Sequence, residues 1–120
     1  MDARRKPIYW ISSALRDMRT LPEDVQDVFG QALLDVQFGD TPMSARRFGE
    51  GVRPEIWKLA SVHDGETYRA AYTAHFPGAV YVLDVFAKKS KHGIGTPQQV
   101  RERVMSRFLL AEQHYFGQDR

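Results

Sequence analysis

Residues 55–87 read EIWKLASVHDGETYRAAYTAHFPGAVYVLDVFA. Three runs rich in β-branched and aromatic residues, 55–62, 67–76 and 79–87, are separated by two turn signals, HDGE at 63–66 and Pro77-Gly78. Asp-Gly between alternating apolar residues predicts a tight hairpin, and turns this short join neighbouring strands antiparallel. The stretch therefore predicts a three-stranded meander.

The flanks read differently. Upstream, PIYWI at 7–11 predicts a short strand, and Ser12 or Ser13 is placed to cap a helix running to about Arg19. Thr20 and Glu23 have capping-box spacing, and behind them Val25, Val28, Phe29, Ala32, Leu33 and Val36 recur along one helical face up to Gly39. Residues 40–51 (DTPMSARRFGEG) predict a loop. Downstream, 88–96 (KKSKHGIGT) is a basic loop, and Pro97 opens a last helix with Val100, Val104, Phe108 and Ala111 on one face. The order strand, two helices, three strands, helix predicts an α+β domain occupying all 120 residues, with the two N-terminal helices packed on one face of the sheet. The other face is expected to be open.

Alternation then says what the open face carries. Tyr68, Ala70, Tyr72, Ala74 and Phe76 share the core side, so Arg69 points away from it. In the third run Tyr81, Leu83, Val85 and Ala87 are the expected core set, leaving Val80, Val82, Asp84, Phe86 and Lys88 opposite. Lys58 falls on the same side as Arg69. Charge follows this pattern. Residues 1–40 carry 5 Lys/Arg against 7 Asp/Glu, whereas residues 41–101 carry 9 against 5. Cations beside an aromatic ring suit RNA, because the ring stacks on a base while Lys and Arg hold phosphates. Phe86, Lys58 and Lys91 are candidate contacts, with Arg46 and Arg47 of the loop as further ones.

The chain has no cysteine, which excludes thiol catalysis, disulfides and cysteine-held zinc. No spacing suggests a metal site, so no cofactor is expected. No apolar run long enough for a signal peptide or membrane span is seen, and a cytoplasmic protein is expected.

The segment 79–97, AVYVLDVFAKKSKHGIGTP, resembles the signature of the HigB-like, phage-associated branch of the RelE/ParE toxin superfamily, in which a hydrophobic strand ends in Phe-x-Lys-Lys-Ser and a basic loop leads to Thr-Pro. TYRAAY at 67–72 and IWKL at 56–59 are similar to two further strand motifs of that family. The resemblance implies a RelE-like fold, endonucleolytic cleavage of mRNA on the translating ribosome, and a cognate helix-turn-helix antitoxin. It matches Arg69 to the family's strand arginine, Lys88 and Lys89 to its paired lysines, and Phe86 to the preceding aromatic. The chain departs from the family pattern at Lys58, where an acidic residue is common, and at Asp84, where histidine is common. Lys58 is therefore a candidate on strand geometry alone.

RNA cuts itself when a 2′-OH attacks the adjacent phosphorus. Arg69 suits the phosphorane charge, since a guanidinium grips phosphate oxygens in a planar fork and stays protonated. Lys88 and Lys89 are candidate acid–base groups if neighbouring cations depress their pKa, and His92 titrates nearest neutrality. His75 is a weaker candidate at a strand end. The same scaffold also allows a gyrase-poisoning toxin of the ParE type or a non-catalytic binding module, because function lives in the site.

Overall fold

The computed structural model describes residues 4–88 and 96–118, with Lys88 described in its backbone only. Strand β1 (Ile8–Trp10) leads into helices α1 (Ala14–Arg19) and α2 (Glu23–Gln37), then β2 (Arg46–Arg47), β3 (Trp57–His63), β4 (Glu66–Thr73), β5 (Val80–Lys88) and α3 (Gln98–Gly117). These strands form one sheet in the order β1-β5-β4-β3-β2. The expected meander β3–β4–β5 is antiparallel, and its first turn places Asp64 and Gly65 at φ 51° and 77°, as the Asp-Gly pair requires. β1 instead pairs with β5 in parallel, so the sheet is mixed. Among the described residues no helix is long and apolar enough to cross a membrane.

α2 forms where its apolar spacing predicts. Val25, Phe29, Ala32, Leu33 and Val36 are buried, whereas Val28 stays exposed. The capping box does not form. Thr20 ends α1 and its hydroxyl donates to the Asp17 carbonyl at 2.7 Å, leaving Pro22 at the α2 N-cap. Ser13 likewise spends its hydroxyl on the Asp17 carboxylate, at 2.9 Å. The first core layer joins these helices to Leu59, Ala70, Tyr72, Val80, Val82 and Val85.

The opposite face is not open. α3 lies on it, burying Val104, Phe108 and Ala111 against Phe76, Tyr81 and Leu83; Phe76 was expected on the side of Tyr72, but β4 ends at Thr73 and alternation does not carry past it. Sequence alternation placed Tyr81 and Leu83 against α2 and Val80 and Val82 away from it. The reverse is found, and a β-bulge is the reason. Ala71 pairs with Asp84 but Tyr72 with Val82, so β5 carries one extra residue there. A bulge inserts two residues against one and flips the side-chain phase beyond it. Leu83 and Asp84 consequently both face α3. Past the bulge Val85 faces α2 and Phe86 faces α3, as alternation predicted.

Candidate functional site

β4 and β5 bring Arg69 and Phe86 directly opposite one another, and Ala60 of β3 flanks Arg69 on the other side. Cross-strand partners share a face, so the guanidinium and the phenyl ring lie together on the α3 side. Arg69 is half-buried, and among the described residues its Nε is sealed from solvent without a hydrogen-bond partner. A buried donor of a permanent cation left in that state costs free energy, so its retention in the fold calls for a physical reason.

Lys58 sits one pair along, opposite Ala71, and so diagonal to Arg69 at roughly 7–8 Å. Its ammonium lies 3.6 Å from a Glu50 carboxylate oxygen and 5.4 Å above the Phe48 ring. Glu50 is the hub of this end of the sheet. It stands between Gly49 and Gly51, and all three residues have positive φ, of 71°, 55° and 83°. A left-handed glutamate is strained, and strain kept in a fold is commonly tied to a contact that over-determines it. Here the contact is with Thr96, whose amide and hydroxyl donate to the Glu50 carboxylate at 2.7 and 2.9 Å. Thr96 stands just before α3, so Glu50 ties the approach to that helix to the turn between β2 and β3. Arg101 of α3 approaches the same carboxylate at 3.8 Å and donates to the Thr96 carbonyl.

A second polar group anchors α3 itself. Asp84 is buried and accepts from Arg103 Nε at 2.9 Å and from Arg107 Nη1 at 2.9 Å, with Arg103 Nη2 at 2.8 Å from the same carboxylate. Arg107 also donates to the Leu83 carbonyl and the Ser13 hydroxyl, at 3.0 and 3.1 Å. One helix is thereby bound to β5 and to the start of α1. Burial raises the Asp84 carboxyl above the usual carboxylate range, and the Arg103 and Arg107 guanidiniums act the other way. Asp84 lies two residues from Phe86 and diagonal to Arg69, so the carboxylate that Arg103 and Arg107 hold is on the same face of the sheet.

The sequence candidates divide accordingly. Arg69, Phe86 and Lys58 share one surface. The backbone of Lys88 continues β5 opposite Thr67. Lys89, Lys91 and His92 lie outside the described residues. Arg46 pairs directly with Lys58 and so shares its face of the sheet, whereas Arg47 pairs with Trp57 on the other face. The expected loop contains the two-residue edge strand β2, in which Arg47 stacks over Trp57 at 4.5 Å on the α2 side and donates to the Pro54 carbonyl. Arg46 donates to the Met43 and Ala45 carbonyls at 2.7 and 2.9 Å. His75 packs on Phe76 at the far end of β4. Glu50, Arg101, Arg103 and Arg107 were not found from sequence. Two signals pointed to them: a glutamate between two glycines, and an aspartate inside an apolar strand, which needs a buried cation. Among the described residues no three His, Cys, Asp or Glu side chains converge as a metal site.

This face of the sheet thus gathers Arg69, Lys58 and the half-buried Phe86, next to the Glu50 carboxylate that holds Thr96. Two comparisons bear on it. The family described as Phage derived protein Gp49-like matches residues 16–109. Among solved structures, the isolated E. coli RelE toxin matches with a TM-score of 0.57 and 19% identity, over 72% of this chain and 88% of that one. An E. coli RelE double arginine-to-alanine mutant in the free state matches with a TM-score of 0.60 and 17% identity, over 86% and 97%. No curated protein matches the chain. At these identities the likeness establishes a RelE-like fold.

Proposed function

The chain belongs to the Gp49-like family of phage-derived proteins, and from that premise we propose that it is the toxin of a HigB-like toxin–antitoxin pair, an endoribonuclease that cleaves mRNA on the ribosome. The observation that carries this reading is Arg69: a half-buried guanidinium with an unsatisfied Nε, set opposite Phe86. The half-buried guanidinium can grip a phosphodiester through its terminal N–H groups, and a neighbouring base finds the Phe86 ring beside it.

In this reading the 2′-OH of one nucleotide attacks the adjacent phosphorus, the P–O5′ bond breaks, and a 2′,3′-cyclic phosphate and a 5′-OH result. Arg69 holds the non-bridging oxygens as charge develops on them. Lys58, steadied by Glu50, adds positive potential one strand away. Lys88 and Lys89 are assigned proton transfer on the strength of the sequence resemblance, His92 because an imidazole ordinarily titrates nearest neutral pH, and Lys91 backbone binding as a cation of the same basic run. Arg46 and Arg47 are assigned at most peripheral contacts with RNA, since their guanidiniums are engaged elsewhere. The RelE-like fold supports a cognate antitoxin as partner.

The test is tightly induced expression of the wild type and of Arg69→Ala, reading growth and transcriptome-wide mRNA 5′ ends. New 5′ ends and growth arrest that both vanish in Arg69→Ala are expected. Arrest with DNA double-strand breaks and no new 5′ ends would instead identify a gyrase poison.

A further inference from the structure

Between Arg19 and Arg46 the chain carries Glu23, Asp24, Asp27, Asp35 and Asp40 and no lysine or arginine. That acidic stretch is α2 and the loop that follows it, on the side of the sheet away from Arg69. Along it runs a groove of about 610 Å³ lined by Val28, Ala32, Pro42 and Met43 and rimmed by Asp27 and Asp35. Val28 is 47% exposed and Met43 95% exposed, so the groove presents apolar side chains from both of its walls.

Each feature of the groove narrows its occupant. Positions 27 or 28, 31 or 32 and 35 span two turns of α2, about 12 Å, which is the footprint of two turns of a second helix. The neighbouring sheet edge is β2, only two residues long, so it offers no template for an added strand. The far wall is fixed, because Arg46 donates to the Met43 and Ala45 carbonyls. Among the described residues neither Asp27 nor Asp35 forms an ion pair, so both carboxylates face a positively charged occupant at little desolvation cost. Nucleic acid is repelled by the same charges.

We propose that this groove docks an amphipathic helix of a partner protein, its apolar ridge on Val28, Ala32 and Met43 and its flanking Lys or Arg residues against Asp27 and Asp35. That the partner is the antitoxin rests on the toxin reading above. The groove lies on the face opposite Arg69, so it holds the partner rather than covers Arg69.

The experiment uses the full chain with the product of the reading frame adjacent to its gene, measured by calorimetry and by rescue of growth. Toxicity of each chain expressed alone tests the toxin reading separately. The variants are Asp27→Lys/Asp35→Lys, Met43→Glu and, as a charge control on α3, Glu112→Lys, with folding checked by circular dichroism. The two groove variants are expected to bind at least about tenfold more weakly and to escape rescue, while Glu112→Lys stays within about twofold. The proposal is overturned if the groove variants bind within twofold of wild type, if the neighbour's product does not bind the wild type, or if light scattering shows a dimer that the groove variants abolish.

Discussion

Replacing Asp84 by asparagine removes one negative charge and almost no volume, and its consequences follow from three distances. The carboxylate takes Arg103 at 2.8–2.9 Å and Arg107 at 2.9 Å, and it is 1% exposed. Arg107 is itself 12% exposed, so it has little water to fall back on. Arg103, at 40%, can rehydrate, and its share is discounted for that. Breaking a buried pair by removing one partner costs about 3–5 kcal/mol, mostly for the charge left behind. For a chain of 120 residues the unfolding entropy is about 250 cal/mol/K, so each kcal/mol is worth about 4 °C in Tm. Asp84→Asn should therefore lower Tm by about 12–20 °C. Urea unfolding followed by circular dichroism gives the free energy, and a thermal scan the Tm. Pairing Asp84→Asn with Arg107→Met should recover at least about 1 kcal/mol of the loss, because it removes the orphaned cation as well. A loss below about 1 kcal/mol for Asp84→Asn would refute the claim that this carboxylate clamps α3 to the sheet.

Other outcomes follow from the same geometry. Burial pushes the Tyr72 and Tyr81 phenols up to about 12, above their ordinary value near 10. A raised folded pKa means stability that is full below pH 10 and falls as pH rises through 12, so two of the five tyrosines should ionise late in a 295 nm titration, with the folded state destabilised over that window. Glu50→Gln keeps an acceptor for Thr96 but discharges the site beside Lys58 and Arg101. At 27% exposure of the carboxylate side chain, the expected cost is about 1 kcal/mol in urea unfolding. Deleting the Phe108 ring, which is fully buried among Phe76, Tyr81 and Leu83, should cost about 3–5 kcal/mol in the same assay.

Local pattern made most of the scaffold legible. Alternation at Tyr68, Ala70 and Tyr72 assigned Arg69 its face, and the spacing of Val25, Phe29, Ala32 and Val36 assigned α2 its own. What escaped was non-local. One extra residue near Leu83 inverted Tyr81 and Val82, and nothing in an apolar run marks where a bulge falls. The α3 stripe was visible, but not that it would cover the face presumed open. Asp84 finds its arginines 19 and 23 residues away, and Glu50 meets Thr96 across 46, separations at which residue pattern carries no pairing information. Strand β2 is two residues long and left no periodicity to read. Arg69 and Phe86 were found together because adjacent strands and a tight turn fixed their register.

The most direct test is single-turnover cleavage of end-labelled mRNA on stalled ribosomes by purified wild type and Arg69→Ala. The account predicts products ending in 2′,3′-cyclic phosphate and a rate about 100-fold or more lower for the variant, whose fold is unchanged by circular dichroism. Equal rates for the two proteins, or no cleavage by the wild type, would contradict it.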